Sequence, residues 1–442
     1  MFISKLGISR PRKLLFYMAV VTLCLLSYYA LTHVYKFDSS NSFHEPLHDN
    51  TLVPTPHIPH VPVIADDTEI LMPSHTKFQP QLRTPTNYVA NLTIILEKCD
   101  MQKVSVFECL DYIQNKQREY LYLSKPEVEP NTPMCSQEEP MLFHIYWRGA
   151  FSDKLALTIK SFLYTQPLAC SKLLIWMDSW GTQEELEANK FSASLLKYSP
   201  SLIQFKKWSL EEEVKKSPDF ADLKTKAVKT VAYSDMVRFV VLHLYGGLYH
   251  DADVLFLRDY RPLYHAPQAF AYQWSYTPKF NTAIFRMSAN STLSRWLVNR
   301  AIANGSFHPG NINQYLSEWN DKIPEFPEKP ELLMLPLALF DPLWLKNDKH
   351  QAGKKLLPNL SEFLDAFDPE EVLGEFDMLA EDELPSRQFE YFFPGAWSYH
   401  WHNNWNTPIA EGSWMGVLLS SFDKFLEKQG HNYYDEAFTH PK

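Results

Sequence analysis

Asp251 and Asp253 stand one residue apart in Leu248–Leu257, an apolar stretch read here as a strand. A period of two puts Tyr249, Asp251 and Asp253 on one side of that strand and His250, Ala252 and Val254 on the other. Two carboxylates beside a buried sheet edge repel each other and resist losing water. A divalent cation removes both problems. Carboxylate oxygens are hard ligands suited to Mg²⁺ or Mn²⁺, which also accept diphosphate oxygens. A DxD triplet alone is a weak signal, since a polar strand end with two solvated Asp reads the same way. An EF-hand loop is excluded, because its further ligands and its Gly at fixed spacing are missing.

What precedes the triplet adds weight. Met236, Val237, Val240, Val241 and Leu244 form the apolar stripe of a helix, stopped by Gly246-Gly247. Asp235 and Arg238 stand three apart on one face of it. By themselves they could be an ordinary surface ion pair. Ser234-Asp235, Arg238, Gly246-Gly247, Tyr249, Asp251 and Asp253 together resemble the signature of glycosyltransferase family 32 and its relatives. These include yeast outer-chain α-mannosyltransferases, lactosylceramide α-1,4-galactosyltransferases and, more distantly, large glucosylating bacterial toxins.

The resemblance implies roles. It puts Ser234, Asp235 and Arg238 at the donor sugar, Asp251 near the ribose and metal, and Asp253 directly on the metal. Phe143–Gly149 resembles the family's opening strand, whose Trp, here Trp147, stacks near the nucleotide base. Asn281–Ile284 resembles an Asn-containing strand lining the active site, and His308–Asn311 more weakly a later loop on the acceptor side. Tyr399–Trp405 resembles the C-terminal His/Trp segment of fungal members, where a His completes the metal or diphosphate site. His400 and His402 share a face if that segment is extended; we take His402 as the third ligand beside Asp251 and Asp253, and Trp405 as substrate-binding. The resemblance spans Leu142–Leu426 and is weak between Trp319 and Phe389. It implies Mn²⁺ or another divalent cation, a GDP-mannose or UDP-galactose donor, and a glycan or glycolipid acceptor.

The elements that must hold these residues alternate. Leu142–Tyr146 reads as a buried strand, Lys154–Tyr164 as a helix and Lys172–Met177 as a second strand ending at Asp178. Strand-helix-strand order predicts α/β architecture with a mostly parallel sheet and right-handed crossovers, and ligands beyond the strands' carboxyl ends, where Trp147 and Asp178 sit. With the resemblance, the expected fold is a GT-A type, Rossmann-like nucleotide-sugar domain over residues 139–430. Residues 91–138 read as a helical neck, and 36–90, with eight Pro and no Gly, as a stem unable to bury enough surface to fold.

Ahead of the stem, Leu14–Tyr35 holds 22 residues without Asp, Glu, Lys or Arg. At about 1.5 Å per residue, such a helix matches the bilayer's hydrocarbon thickness. Lys5, Arg10, Arg12 and Lys13 precede it, which predicts a cytoplasmic tail over residues 1–13, an uncleaved anchor and a lumenal remainder. The run is too long for a cleaved signal peptide and lacks a small-residue cleavage site. A Golgi membrane protein of single-pass type II topology is the expectation. Sequons at Asn91, Asn290, Asn304 and Asn359 fit a lumenal fate. So do Cys99, Cys109, Cys135 and Cys170, which allow two disulfides in three pairings. The net charge of −10 argues against nucleic acid.

The expected reaction moves a hexose from a nucleotide diphosphate to an acceptor hydroxyl, with retention of configuration implied by the resemblance. Three rivals stand beside it: a glycoside hydrolase, whose paired carboxylates are spaced differently, a non-catalytic carbohydrate-binding or scaffolding protein, and a pseudoenzyme on the same fold.

Overall fold

The computed structural model describes residues 88–100, 103–104, 106–115, 123–124, 139–178, 182–199, 201–223, 230–275, 277–342, 344, 396–410, 414–423 and 432. The chain divides into two compact units, and all of these residues belong to the second, His60–Lys442. The expected tail, anchor and stem through residue 87 lie outside the described residues, as do Cys24, Cys135 and Asn359. Among the described residues no helix is long and apolar enough to cross a membrane.

Eleven strands are described: β1 (Tyr88–Val89), β2 (Leu123–Ser124), β3 (Met141–Arg148), β4 (Ser171–Asp178), β5 (Ile203–Lys207), β6 (Gly247–His250), β7 (Val254–Phe256), β8 (Phe270–Gln273), β9 (Phe280–Met287), β10 (Leu333–Leu335) and β11 (Ser398–His400). Seven form one sheet in the order β10-β8-β9-β6-β3-β4-β5. Only β9 in that sheet runs against the rest, so the expected mostly parallel sheet is present. The order steps outward from β3 to β5, then returns to place β6 on the other side of β3. That reversal opens a crevice at the carboxyl ends of β3 and β6.

The first strand-helix-strand unit folds as its pattern predicts. Helix Asp153–Thr165 starts at Ser152, whose side chain accepts from the Leu155 amide, and buries Leu155, Ile159 and Phe162 completely. Phe143 of β3 meets Phe162 and Phe256 edge to face, at 5.2 and 5.8 Å, and knits the helix to the sheet.

Two expectations need correction. The neck is not one helical run: Leu92–Lys98 ends with Cys99 as its C-cap, and a second helix spans Val106–Asn115. A Cys99–Cys109 disulfide joins them, and Cys170 is disulfide-bonded as well. Nor is Leu248–Leu257 one strand. Asp251 N–H still donates to the Ala283 carbonyl of β9 at 2.7 Å, but Val254 N–H then donates back to the Asp251 carbonyl at 3.1 Å. This turn lifts the chain out of the main sheet, and β7 pairs antiparallel with β11, His400 opposite Val254. Strand alternation therefore stops at His250.

The Gly246-Gly247 stop has a measurable reason. Both residues have left-handed backbones, φ +64° and +96°, and a Cβ on Gly247 would lie 2.4 Å from the Leu142 carbonyl oxygen of β3.

Candidate active site

Helix Thr230–Tyr245 packs behind the sheet and delivers Asp235 and Arg238, both buried, to the crevice. Arg238 is a hub. Its Nη2 lies 3.2 Å from Asp235 Oδ1 and 3.0 Å from Asp251 Oδ1. Its Nη1 donates to Thr282 Oγ1 at 2.8 Å, and Tyr249 stacks beneath the guanidinium at 5.1 Å. Its Nε reaches the Ser234 carbonyl at 3.5 Å. The pair is thus no surface ion pair; a buried guanidinium shared by two carboxylates fixes the middle of a helix to the end of β6. Burial raises the pKa of Asp235 and of Asp251, against the pull of Arg238 on both.

The turn after Asp251 sends Asp253 the other way, toward the C-terminal segment. Asp253 Oδ2 accepts from the Asn403 amide at 2.7 Å and lies 3.3 Å from His400 Nε2. Burial would raise its pKa, but His400 and the Asn403 N–H outweigh it and hold the carboxylate ionised. His400 gains correspondingly: burial works against its charge, yet the carboxylates of Asp253, Asp341 and Asp251 raise it.

Asp341, just past β10, completes a second half of the cluster. It is fully buried, and its Oδ2 lies 2.7 Å from His402 Nε2 and 3.8 Å from His400 Nδ1. Tyr272 Oη lies 3.1 Å from the same His400 nitrogen. The two imidazoles stack at 3.9 Å, and Trp344 covers His402 at 4.0 Å. Strand β11 ends at His400, and His402 has a left-handed backbone, φ 49°, so their shared side comes from a turn and not from an extended strand. His400 is the imidazole against Asp253, and His402 pairs with Asp341.

The donor set suits a divalent cation. Ligand atoms of Asp341, His400 and His402 lie within 4.8 Å of one another, and carboxylate with imidazole is a combination that Mn²⁺ accepts. Asp341 Oδ1 is buried with no hydrogen-bond partner among the described residues. Asp235, Asp251, Asp253 and Asp341 also outnumber Arg238 and His400, leaving negative charge that a cation would neutralise.

The remaining expected residues divide. Trp147, at the end of β3, meets Trp405 edge to face at 4.8 Å, and Trp405 Nε1 donates to Asn403 Oδ1 at 3.4 Å, so both Trp border the Asp253 side. Asn281 instead turns back on its own strand and accepts from the Ala283 amide at 2.9 Å; its neighbour Thr282 reaches Arg238. Asp178 accepts from Tyr146 Oη at 2.7 Å. Thr282, Tyr272 and Asp341 were not expected. Thr282 carried a signal, since it alternates with Asn281 on a strand already singled out; Asp341 falls in the stretch where the resemblance is weak.

Residues 152–270, which contain the DxD, match the family model for the glycosyltransferase sugar-binding region containing DXD motif. This is a transferase domain. No curated protein matches the chain. Among solved structures, the transferase is similar to PaToxG glycosyltransferase, at 20% identity and TM-score 0.32, over 51% of this chain and 79% of that one. It is similar to the glycosyltransferase GlyE of Streptococcus pneumoniae TIGR4, at 12% identity and TM-score 0.34, over 66% and 64%. It is also similar to the galactosyltransferase LgtC, at 13% identity and TM-score 0.30, over 64% and 96%. The transferase thus spans less than two-thirds of GlyE.

Proposed function

We propose that this transferase is a metal-dependent, retaining hexosyltransferase of family 32 type with a GT-A fold, moving mannose or galactose from GDP-mannose or UDP-galactose to a glycan or glycolipid hydroxyl. Its catalytic domain faces the Golgi lumen, held by a single-pass type II anchor at 14–35. The observation that carries the reading is the split of the DxD: Asp251 turns to Arg238, while Asp253 turns to His400 and the Asn403 amide.

Departure of a nucleoside diphosphate builds negative charge on its oxygens. Asp253 with Asp251, and the His400–His402–Asp341 cluster, would hold a divalent cation, which would supply Lewis-acid stabilisation of that charge. Asp235 and Arg238, with Ser234 beside them, hold the sugar so that its anomeric carbon faces the acceptor. Trp147 and Trp405 supply apolar surface for the base or the leaving group. The bound donor covers the polar crevice and keeps water from the reacting carbon.

The test is a screen of GDP-mannose, UDP-galactose, UDP-glucose and UDP-N-acetylglucosamine with Mn²⁺ and the full chain. One donor is expected to be consumed, with turnover falling at least a hundredfold in Asp253→Asn. Turnover that survives both Asp253→Asn and metal chelation would sink the metal-dependent reading. Binding without consumption of any donor favours the lectin or pseudoenzyme rivals. Cleavage of a glycoside without a nucleotide favours a hydrolase.

A further inference from the structure

Trp274 is the one large hydrophobic side chain that is exposed among the described residues, at 37%. It stands on the β8–β9 hairpin, at the same end of the sheet as the DxD, and the hairpin's strands reach the site from both sides. Two residues before it, Tyr272 touches His400; in β9, Thr282 holds Arg238. The hairpin is braced. Trp274 N–H donates to the Lys279 carbonyl at 2.6 Å, and the Trp274 carbonyl accepts both the amide and the hydroxyl of Thr277, at 3.1 and 2.6 Å. Asn313 Nδ2 donates to the Pro278 carbonyl and ties the hairpin to the next layer.

The indole is also oriented. His308 stacks on it, ring centroids 5.9 Å apart and 28° from parallel. His308 is itself fixed, its Nδ1 accepting from the Gly310 amide at 3.1 Å, and a Cβ on Gly310 would crowd that ring at 3.0 Å. An aromatic face that is held still and left wet, at the end of the sheet that carries the DxD, costs solvation without serving the core.

We propose that Trp274, with His308 behind it, is a stacking platform for a pyranose ring of the acceptor, which meets the indole with its apolar C–H face. This rests on the transferase reading for the acceptor's place in the reaction, but not for the binding itself. An indole covers one sugar ring, and one such contact is worth roughly tenfold in affinity. The side chains of Gln273, Thr277 and Asn313 donate to the carbonyls of Thr277, Trp274 and Pro278, so they hold the hairpin under the indole.

Saturation-transfer NMR with the full chain tests it without any donor. The probes are methyl α-mannopyranoside, methyl β-galactopyranoside and lactose. Saturation is expected to reach the ring C–H protons of at least one saccharide, to fall about tenfold in Trp274→Ala, and to be partly kept in Trp274→Phe. His308→Ala is expected to weaken the signal less than Trp274→Ala does. Where a donor is turned over, the saccharide KM should rise about tenfold in Trp274→Ala against a much smaller change in donor KM. No saturation transfer from the wild type to any of the three, or equal transfer from Trp274→Ala, overturns the platform. Failure of every donor to be consumed would instead count against the transferase reading, while the NMR result still decides this one.

Discussion

Arg238 Nη2 lies 3.0 Å from Asp251 Oδ1, a contact that joins a helix to the end of β6 across 13 residues of chain. It explains why one carboxylate of the DxD is already partnered before any ligand arrives. The second, Asp253, is held from the opposite direction by His400 and the Asn403 amide, so the two halves of the triplet belong to different sheets.

Removing the guanidinium strands two carboxylates. Arg238→Ala is expected to destabilise the domain by about 3 kcal/mol, because breaking a buried pair leaves uncompensated charge. Donor turnover should fall at least a hundredfold. Arg238→Lys should recover part of the stability but little of the turnover, since an ammonium cannot fork to two carboxylates and a hydroxyl. Urea midpoints with initial rates check this; wild-type turnover in Arg238→Lys would remove the orienting role.

Asp341 tests the second half of the cluster. Asp341→Asn keeps the shape and removes the charge between His400 and His402. The Mn²⁺-induced rise in melting temperature is expected to shrink, with metal affinity falling about ten- to a hundredfold. An unchanged Mn²⁺ shift would confine the metal to Asp251 and Asp253.

A pH effect follows from His144. This buried ring lies 2.8 Å from the Gly246 carbonyl through Nε2, while Nδ1 accepts from Trp176 Nε1 at 3.2 Å. Only the neutral ring protonated on Nε2 satisfies both. Burial lowers its pKa from 6.5 to about 4, so the unfolded chain takes up the proton first as pH falls. Stability from this group is full above the unfolded pKa and is lost as pH drops toward 4, by on the order of 3 kcal/mol. Urea midpoints across that window should fall more steeply for the wild type than for His144→Gln. Parallel curves would assign the acid sensitivity elsewhere.

Gly247→Ala is expected to destabilise the domain by several kcal/mol, since its Cβ would sit 2.4 Å from the Leu142 carbonyl in a strand pairing that cannot part. Soluble yield and melting temperature report the loss. A melting temperature equal to the wild type would mean that β3 and β6 yield there.

Much of this was legible in the residues. Continuous apolar runs located β3 and β4, and apolar stripes located the helices Asp153–Thr165 and Thr230–Tyr245, although burial extends round nearly the whole of each. Asp235, Arg238 and Asp251 stood out because they lie within 17 consecutive residues, but the contact between Arg238 and Asp251 did not. What escaped is non-local. Nothing near Asp251 announces the turn that ends β6, after which β7 pairs with β11, a strand far along the chain. Asp341 carries no motif of its own; it acquires chemistry only by meeting His400 and His402 from 59 and 61 residues away in sequence.

The pairing of β7 with β11 has a consequence during synthesis. Asp253 leaves the ribosome 150 residues ahead of the Asn403 amide that anchors it, and the whole of β8, β9 and β10 is translated in between. A nascent chain can therefore build the sheet while its carboxylates still lack their C-terminal partners. A premature stop between β10 and residue 396 would leave a sheet-bearing product with an unfinished centre. Completion of the site waits for β11 and the segment that follows it.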